Sequence, residues 1–526
     1  MRINFFKIII VAFWLLMNAW LIRYEAFPEK FSEAGGGYRA LLQRGPLILD
    51  SWMQIESRGT PIGYSHTWID TNLESSPRLA SLSRRSGRSL GDQGVYVVRN
   101  QTVLNFKIMG QEQWVGVSAD AELDGQYCLQ KFSAVMFSSL YTTRIEGKRG
   151  RKGFFDITMK TPAAVRQFEM EIPDDVVVYS PMTEMAMKQL APGKSVRLKT
   201  IDPLSLNVAE VKVEAVRREN MVYDGKSYAA TVLNISYQGM IVSSWIDDNG
   251  RALREETPFG WVMRASTPRE ILSRRRQSFE GADLFASMAV PSRGQIPNPR
   301  ECKKLKVRLN GIVFGLDGLE SHRQIIKERL NDAVVMELSA QQKPANIAGF
   351  RARMPPELRL FLEPSAAVQS DSQEIIRQAE KIVAGSPDSF EAAKSINEWV
   401  YRNVVKKPTV SLPSALDVLQ RREGDCNEHT YLFVALARAV GLPARINVGI
   451  VFAEIEGQPG AFYYHAWPAV FVGEWVEMDP TFGTPLVDAT YIRLISGEII
   501  DQMKLLGILG RISVDILEEK MEQVQK

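Results

Sequence analysis

Gly424-Asp425-Cys426-Asn427-Glu428, followed by an apolar-periodic run to Val440, is the stretch on which the reading of this chain turns. Asp425 carries a side chain able to accept a backbone N–H at a helix start, and Glu428, three residues on, completes a capping box. Gly441 and Pro443 supply the stop signals. Cys426 therefore opens a helix, where unpaired backbone N–H groups and the helix dipole favour a thiolate. The adjacent Asp425 carboxylate opposes that ionisation, so a partner imidazole is needed. A buried, inert cysteine is the ordinary alternative, and it would lie on the apolar stripe with Leu432, Leu436 and Val440. The first turn after a capping Asp instead faces outward, to a cleft. Spacing alone leaves both readings open.

Two strand-like segments follow: Tyr463-Tyr464-His465-Ala466-Trp467, and Glu474-Trp475-Val476-Glu477-Met478-Asp479-Pro480, joined by a tight turn at Gly473-Glu474. A Cys/His/Asp relay needs a histidine on one strand and a carboxylate at the end of its neighbour. His465 would take the thiol proton, and Asp479 would fix the imidazole tautomer and stabilise the imidazolium. Simple hairpin arithmetic falls short of this. A two-residue turn pairs Val472 with Trp475 and sets Asp479 opposite Pro468. That is three residues, about 10 Å, from His465 and on the wrong face. A bulge would correct the parity, and Pro468 is the expected place for it. His429 lies at i+3 from Cys426 on the same helix. It reads as a supporting or surface residue, with a Cys426/His429/His465 zinc site as the alternative. Trp467, Trp475 and Tyr464 read as core aromatics. His66 and His322 read as ordinary structural histidines.

The chain has 526 residues, 64 Lys+Arg against 61 Asp+Glu, and four histidines. A net charge of +3 over this length argues against a dedicated nucleic-acid binder. Cys128, Cys302 and Cys426 include no CxxC pair, and in an oxidising compartment Cys128 with Cys302 is the one pairing that leaves Cys426 free. Near the N-terminus, Arg2 and Lys7 precede an apolar run, Ile8 to Ile22, closed by Arg23. No Ala-x-Ala arrangement ends it, so residues 1–23 read as an uncleaved signal-anchor rather than a cleaved signal. The bulk of the chain would then be exported, on the periplasmic side of a single-pass cell-membrane anchor.

Residues 24–264 read as a large antiparallel β-sheet domain. Alternating runs such as Val211–Val216 and Ala229–Tyr237 are separated by Asp124-Gly125, Asp224-Gly225 and Asn249-Gly250, with one short helical stretch near Met182–Leu190. Asp247-Asp248-Asn249-Gly250 reads as a turn rather than a calcium loop, because its first ligand would be Trp245. Residues 265–299 read as a linker, and 300–360 as a β-rich connecting segment with a hairpin at Asn310-Gly311. In residues 361–500 the period becomes helical over Ser372–Ala384, Asp388–Val405 and Pro413–Arg421, then strand-like from Arg445 to Met478. Residues 501–526 read as a tail ending in a charged helix, Ser513–Gln525.

Gly-Asp-Cys-Asn-Glu-His at 424–429, Ala435 to Arg445 with its Gly441-Leu442-Pro443, His465-Ala466-Trp467 and Asp479-Pro480-Thr481 together resemble the bacterial transglutaminase-like superfamily. The order and spacing match, with the histidine thirty-nine residues after the cysteine and the aspartate fourteen beyond that. The resemblance spans Phe361 to Gly497. It implies an α+β fold with a papain-like core whose nucleophile helix packs on an antiparallel sheet. It also implies thioester chemistry by Cys426, His465 and Asp479, without cofactor or metal, on a peptide or protein substrate. Hydrolysis and transamidation stay open. So do two other classes: a catalytically silent envelope protein that binds peptide or lipid, and a zinc hydrolase. Trp52-Met53-Gln54-Ile55 through Ile62-Gly63-Tyr64, and Trp245-Ile246-Asp247 through Gly260-Trp261, are similar to the curved sheet modules of periplasmic lipoprotein carriers.

Overall fold

The computed structural model describes residues 49–521 apart from 72–95, 126, 179–186, 188–189, 259, 276–282, 285–288, 313–318, 348, 350–354 and 456–457. The expected N-terminal anchor and the helical stretch at Met182–Leu190 lie outside the described residues, save Met187 and Leu190. Among the described residues no helix is long and apolar enough to cross a membrane.

Fifteen described strands, from Leu49–Ser57 to Trp261–Ser266, form one sheet. Leu49–Ser57 pairs with Thr60–Thr71 on one edge and with Trp261–Ser266 on the other, so first and last strands meet mid-sheet. The two ends of the path, Val165–Glu171 and Val176–Val177, are neighbours in the chain. Period-2 alternation explains the shape: Met53, Ile69, Val98, Phe132, Phe155, Val213, Leu233 and Ala265, from strands all round the path, share one apolar core. Asp224-Gly225 is a two-residue hairpin turn with φ of 49° and 69° between the paired Tyr223 and Lys226, as its residue types require. Asp247 likewise closes a turn, its Oδ1 accepting the Asn249 and Arg251 N–H groups.

The remaining chain builds two smaller sheets and a helical layer. In the first, Gln458–Phe471 lies between Ala444–Ile455, itself paired to Tyr491–Ser496, and two short partners, Ala289–Val290 and Trp475–Glu477. In the second, Cys302–Asn310 is flanked by Ala333–Ser339 and Ser513–Met521. One core joins the two sheets through Val307, Met336, Leu338, Ile450, Phe452 and Ile492. Another joins the helices Gln373–Val383, Ser389–Asn403, Ala415–Arg421 and Cys426–Ala439 to the first sheet through Leu432, Leu436, Ile446 and Val470.

Three expectations are corrected. Ser513–Met521 is a strand, not a helix. Its Val514 and Ile516 alternate inward against Val307 and Leu309, and that tertiary pairing outweighs a charged composition that reads as helical. Asn310-Gly311 does not make a hairpin, because Cys302–Asn310 pairs with Ala333–Ser339 and the intervening strand, Gln324–Arg329, sits beyond it at the sheet edge. The stretch read as a linker contains a helix, Pro268–Arg275, and the strand Ala289–Val290, which extends the first sheet. Ile271 of that helix is buried against Tyr64 and Val103, covering the outer face of the large sheet.

The large sheet also touches the helical layer. Arg166 makes a two-pronged ion pair with Asp371, Thr161 and the Ala163 N–H both donate to Asp417, and the Tyr141 hydroxyl donates to the Glu423 carbonyl.

Candidate active site

The helix Cys426–Ala439 starts as its sequence requires. Asp425 accepts the Asn427 N–H at 2.9 Å, and Glu428 accepts the Asp425 N–H at 2.9 Å, forming the capping box. Gly424 permits this closure, since a Cβ there would stand 2.3 Å from the Glu428 Cβ. Ser411 donates its hydroxyl to the other Glu428 oxygen. Burial and the nearby Glu428 charge push the Asp425 carboxyl well above the usual range.

Cys426 is partly exposed while residues 428–437 behind it are buried. Burial, then the Asp425 charge, raises its thiol pKa, and a hydrogen bond from the Ala466 backbone amide works the other way. That amide belongs to Gln458–Phe471 at an open stretch of edge: Ala289–Val290 covers Phe462–Tyr463, Trp475–Glu477 covers Ala469–Phe471, and both stop short of residues 464–467. The helix Cys426–Ala439 packs against this strand, with the Cys426 thiol at the Ala466 amide, one residue from His465.

His465 and Asp479 are joined directly, Nε2 to Oδ2 at 2.8 Å. The parity problem is solved at the turn, not at Pro468. Phe471 pairs with Trp475 across three residues, which sets Glu477 opposite Ala469. Continued by two, that register brings Asp479 to the face of Trp467 and His465. Asp479 then enters a tight turn, exchanging backbone hydrogen bonds with Thr484 at 2.8 Å each way. Its Oδ1 accepts the N–H groups of Thr481 at 2.7 Å and Phe482 at 3.2 Å, and its Oδ2 accepts the Tyr491 hydroxyl at 2.7 Å as well as His465. Burial pushes the carboxyl pKa up, but the His465 charge and these donors hold it down at about 2. With Nε2 turned to Asp479, the Nδ1 edge of the ring is left to deal with a thiol proton.

The surroundings are aromatic. Phe482 stacks on His465 at 5.2 Å and stays 42% exposed, forming a roof. Trp467 and Tyr491 pack beneath, 5.3 Å apart and near-perpendicular. The Trp467 indole donates to Glu477, which also pairs with the buried Arg323 at 2.9 Å. Trp467 is fully buried, whereas Tyr464 and Trp475 are only partly so.

His429 is not at the surface. It is fully buried, with Nδ1 2.7 Å from the Asp425 carbonyl and Nε2 3.2 Å from the Val404 carbonyl. Helix periodicity aims it behind Cys426, into the packing against residue 404. Both ring nitrogens are engaged away from the thiol, so the Cys426/His429/His465 arrangement is not assembled. Among the described residues no group of three His, Cys, Asp or Glu side chains is placed to hold a metal. No disulfide joins Cys128, Cys302 or Cys426. His66 stacks between Trp52 and Trp68 on the large sheet and bonds Asp50 at 2.7 Å.

Residues 376–480 match the family model of the transglutaminase-like superfamily. The C-terminal part of this chain is a transglutaminase-like domain. No curated protein matches the chain by sequence. Solved structures similar to parts of it include a candidate cysteine protease from Cytophaga hutchinsonii, with 18% identity, TM-score 0.30, and coverage of 42% of this chain and 90% of that one. A β-barrel-like protein from Brucella abortus, a domain of unknown function, has 10% identity, TM-score 0.30, and coverage of 42% and 96%. The periplasmic domain of TgpA from Pseudomonas aeruginosa bound to ethylmercury has 10% identity, TM-score 0.23, and coverage of 58% and 95%. The transglutaminase-like domain receives two side chains at its site from outside the matched span, Tyr491 and, as its neighbour, Arg300. Neither has a local motif. Only the pairing of Tyr491 with Val451 across the sheet brings the phenol to the site.

Proposed function

We propose that this protein is a cysteine enzyme performing acyl transfer through Cys426, His465 and Asp479, on a peptide or protein substrate. The observation that carries the reading is the buried 2.8 Å His465–Asp479 hydrogen bond beside the strand edge where the Cys426 thiol is seated. His465 takes the thiol proton, and the resulting thiolate attacks the carbonyl carbon of an amide. Collapse of the tetrahedral adduct breaks the C–N bond as the imidazolium returns its proton to the leaving amine, leaving a thioester on Cys426. Water then releases an acid, or a second amine a new amide. The Cys426 backbone N–H, at the first helical position, is one donor for the oxyanion. The roof of Phe482 and the buried floor of Trp467 limit water at the His465–Asp479 bond, which strengthens it. The apolar run Ile8–Ile22 serves as an N-terminal membrane anchor with the rest of the chain exported, and the mature protein keeps that run on terminal sequencing.

A thiol-reactive acyl probe followed by mass spectrometry tests the chemistry. The adduct is expected on Cys426 alone. Labelling of Cys128 or Cys302 at an equal rate, or an unreactive Cys426 in the folded protein, refutes it.

A further inference from the structure

Asp479 is held by more than its histidine. The Tyr491 hydroxyl donates to Asp479 Oδ2 at 2.7 Å and accepts from the Arg300 guanidinium at 3.0 Å. Arg300 is itself anchored: it donates to the Phe452 carbonyl and the Thr490 hydroxyl, and its guanidinium lies 3.0 Å from the Asp488 carboxylate. Its guanidinium faces two rings of the site, Phe482 at 5.5 Å and Tyr491 at 5.2 Å. A fixed positive charge thus stands at the end of an unbroken line from Arg300 through Tyr491 and Asp479 to His465. Arg300 lies in Pro299–Glu301, after the short strand Ala289–Val290 that docks the preceding segment onto the first sheet, and outside residues 376–480.

We propose that Arg300, acting through the Tyr491 hydroxyl, is a positioning residue that orients Asp479 and sets the pH range in which Cys426 reacts. The inference rests on the reading of Cys426 as the nucleophile. Arg300 polarises the phenol, and the phenol fixes the carboxylate so that one Oδ2 lone pair stays aimed at His465. The guanidinium charge also favours the deprotonated form of every group near it. Its removal therefore moves the onset of Cys426 reactivity to higher pH. Other charged groups face the same cluster: Asp425 and Glu428 at the helix start with His429 behind them, and the Arg323–Glu477 pair with Arg493 beneath Trp467. Asp488 lies beside Arg300. All but Asp488 keep their surroundings in Arg300→Met, and Arg300→Lys keeps a cation beside Asp488 as well, so the two variants together isolate the Arg300 charge.

The test is the pH–rate profile of Cys426 carboxamidomethylation by iodoacetamide in the full chain, read by mass spectrometry, for wild type, Arg300→Met, Arg300→Lys, Tyr491→Phe and His465→Ala. Arg300→Met is expected to move the profile up by about 0.5 pH unit at low salt, and less at high salt. Arg300→Lys should return it most of the way, and Tyr491→Phe should slow the reaction at neutral pH about tenfold. A residue that only braces the fold would change the melting temperature and leave the profile in place. If Arg300→Met does not fold by circular dichroism, Arg300→Lys and Tyr491→Phe carry the test. A wild-type profile that depends on His465 but is unmoved by the Arg300 and Tyr491 substitutions overturns this inference and leaves the nucleophile standing. A wild-type Cys426 that titrates as a free thiol, indifferent to His465→Ala, overturns the nucleophile reading and this inference with it.

Discussion

In the large curled sheet the buried polar side chains are almost all neutral, among them Thr67, Gln113, Thr143, Thr200, Thr231 and Ser244, with Asp247 the charged exception among the described residues. After residue 300 ionisable side chains join the buried neutral ones: Arg323, Asp417, Glu428, His429, His465, Glu477, Asp479, Asp488 and Arg493. The two regions obey the same rule, that a buried charge must be paired or hydrogen-bonded. They meet it differently. The sheet mostly avoids the cost by leaving pairs such as Arg197–Glu210 more than half exposed, although burial raises the Glu255 carboxyl to about 7. The other region accepts the cost and pairs charges in its interior, as in Arg323 with Glu477 and His465 with Asp479. Burying charge adds little stability over apolar packing, which fits the proposed use of the His465–Asp479 pair in chemistry.

The comparison breaks most visibly at Asp479. Asp479→Asn keeps the size of the side chain but loses the charge that holds the His465 tautomer. Acyl-probe labelling of Cys426 should fall by up to about 10⁴-fold, and a variant within tenfold of wild type would mean that the buried carboxylate has no part in the reaction. Next in size is Arg323→Met, which strands Glu477 without its buried counter-charge and should cost about 3–5 kcal/mol in urea unfolding. Arg197→Met in the large sheet should cost under about 1 kcal/mol. Equal effects would erase the distinction between the two regions.

Acid unfolding sharpens it further. Asp479 has its pKa held at about 2, below the ordinary carboxylate value. Its contribution is therefore complete above about pH 4 and lost as pH falls towards 2, amounting to about 2 kcal/mol. Wild type should lose stability more steeply over that window than Asp479→Asn, by urea midpoints measured at each pH. A further effect concerns the sheet alone. Gly225→Ala, at a φ of 69°, should cost about 1 kcal/mol without changing Cys426 labelling. A change in labelling would show that the hairpin tip communicates with the site.

How much of this was legible in the chain depended on how local each signal is. The capping box, the helix stop and the Asp224-Gly225 turn are written in a few adjacent residues, and the structure has them where their residue types demand. The partnership of His465 and Asp479 was legible as residue types, but its register was not, because a three-residue turn and the bulge expected at Pro468 give the same parity. The strand Ser513–Met521 was misread because its inward positions are recognisable only beside Cys302–Asn310, two hundred residues away. Arg300 and Tyr491 gave no local sign for the same reason. His429 misled by proximity: i+3 spacing places it near Cys426, while the helix face it occupies points into the core.

The central claim is that His465, not His429, serves Cys426. Acyl-probe labelling of Cys426 in His465→Ala and His429→Gln, with folding of each checked by circular dichroism, tests it directly. Labelling should vanish in His465→Ala and fall less than about tenfold in His429→Gln, whose carboxamide can still donate to one of the two carbonyls. Labelling that survives His465→Ala and disappears in a folded His429→Gln would contradict the account.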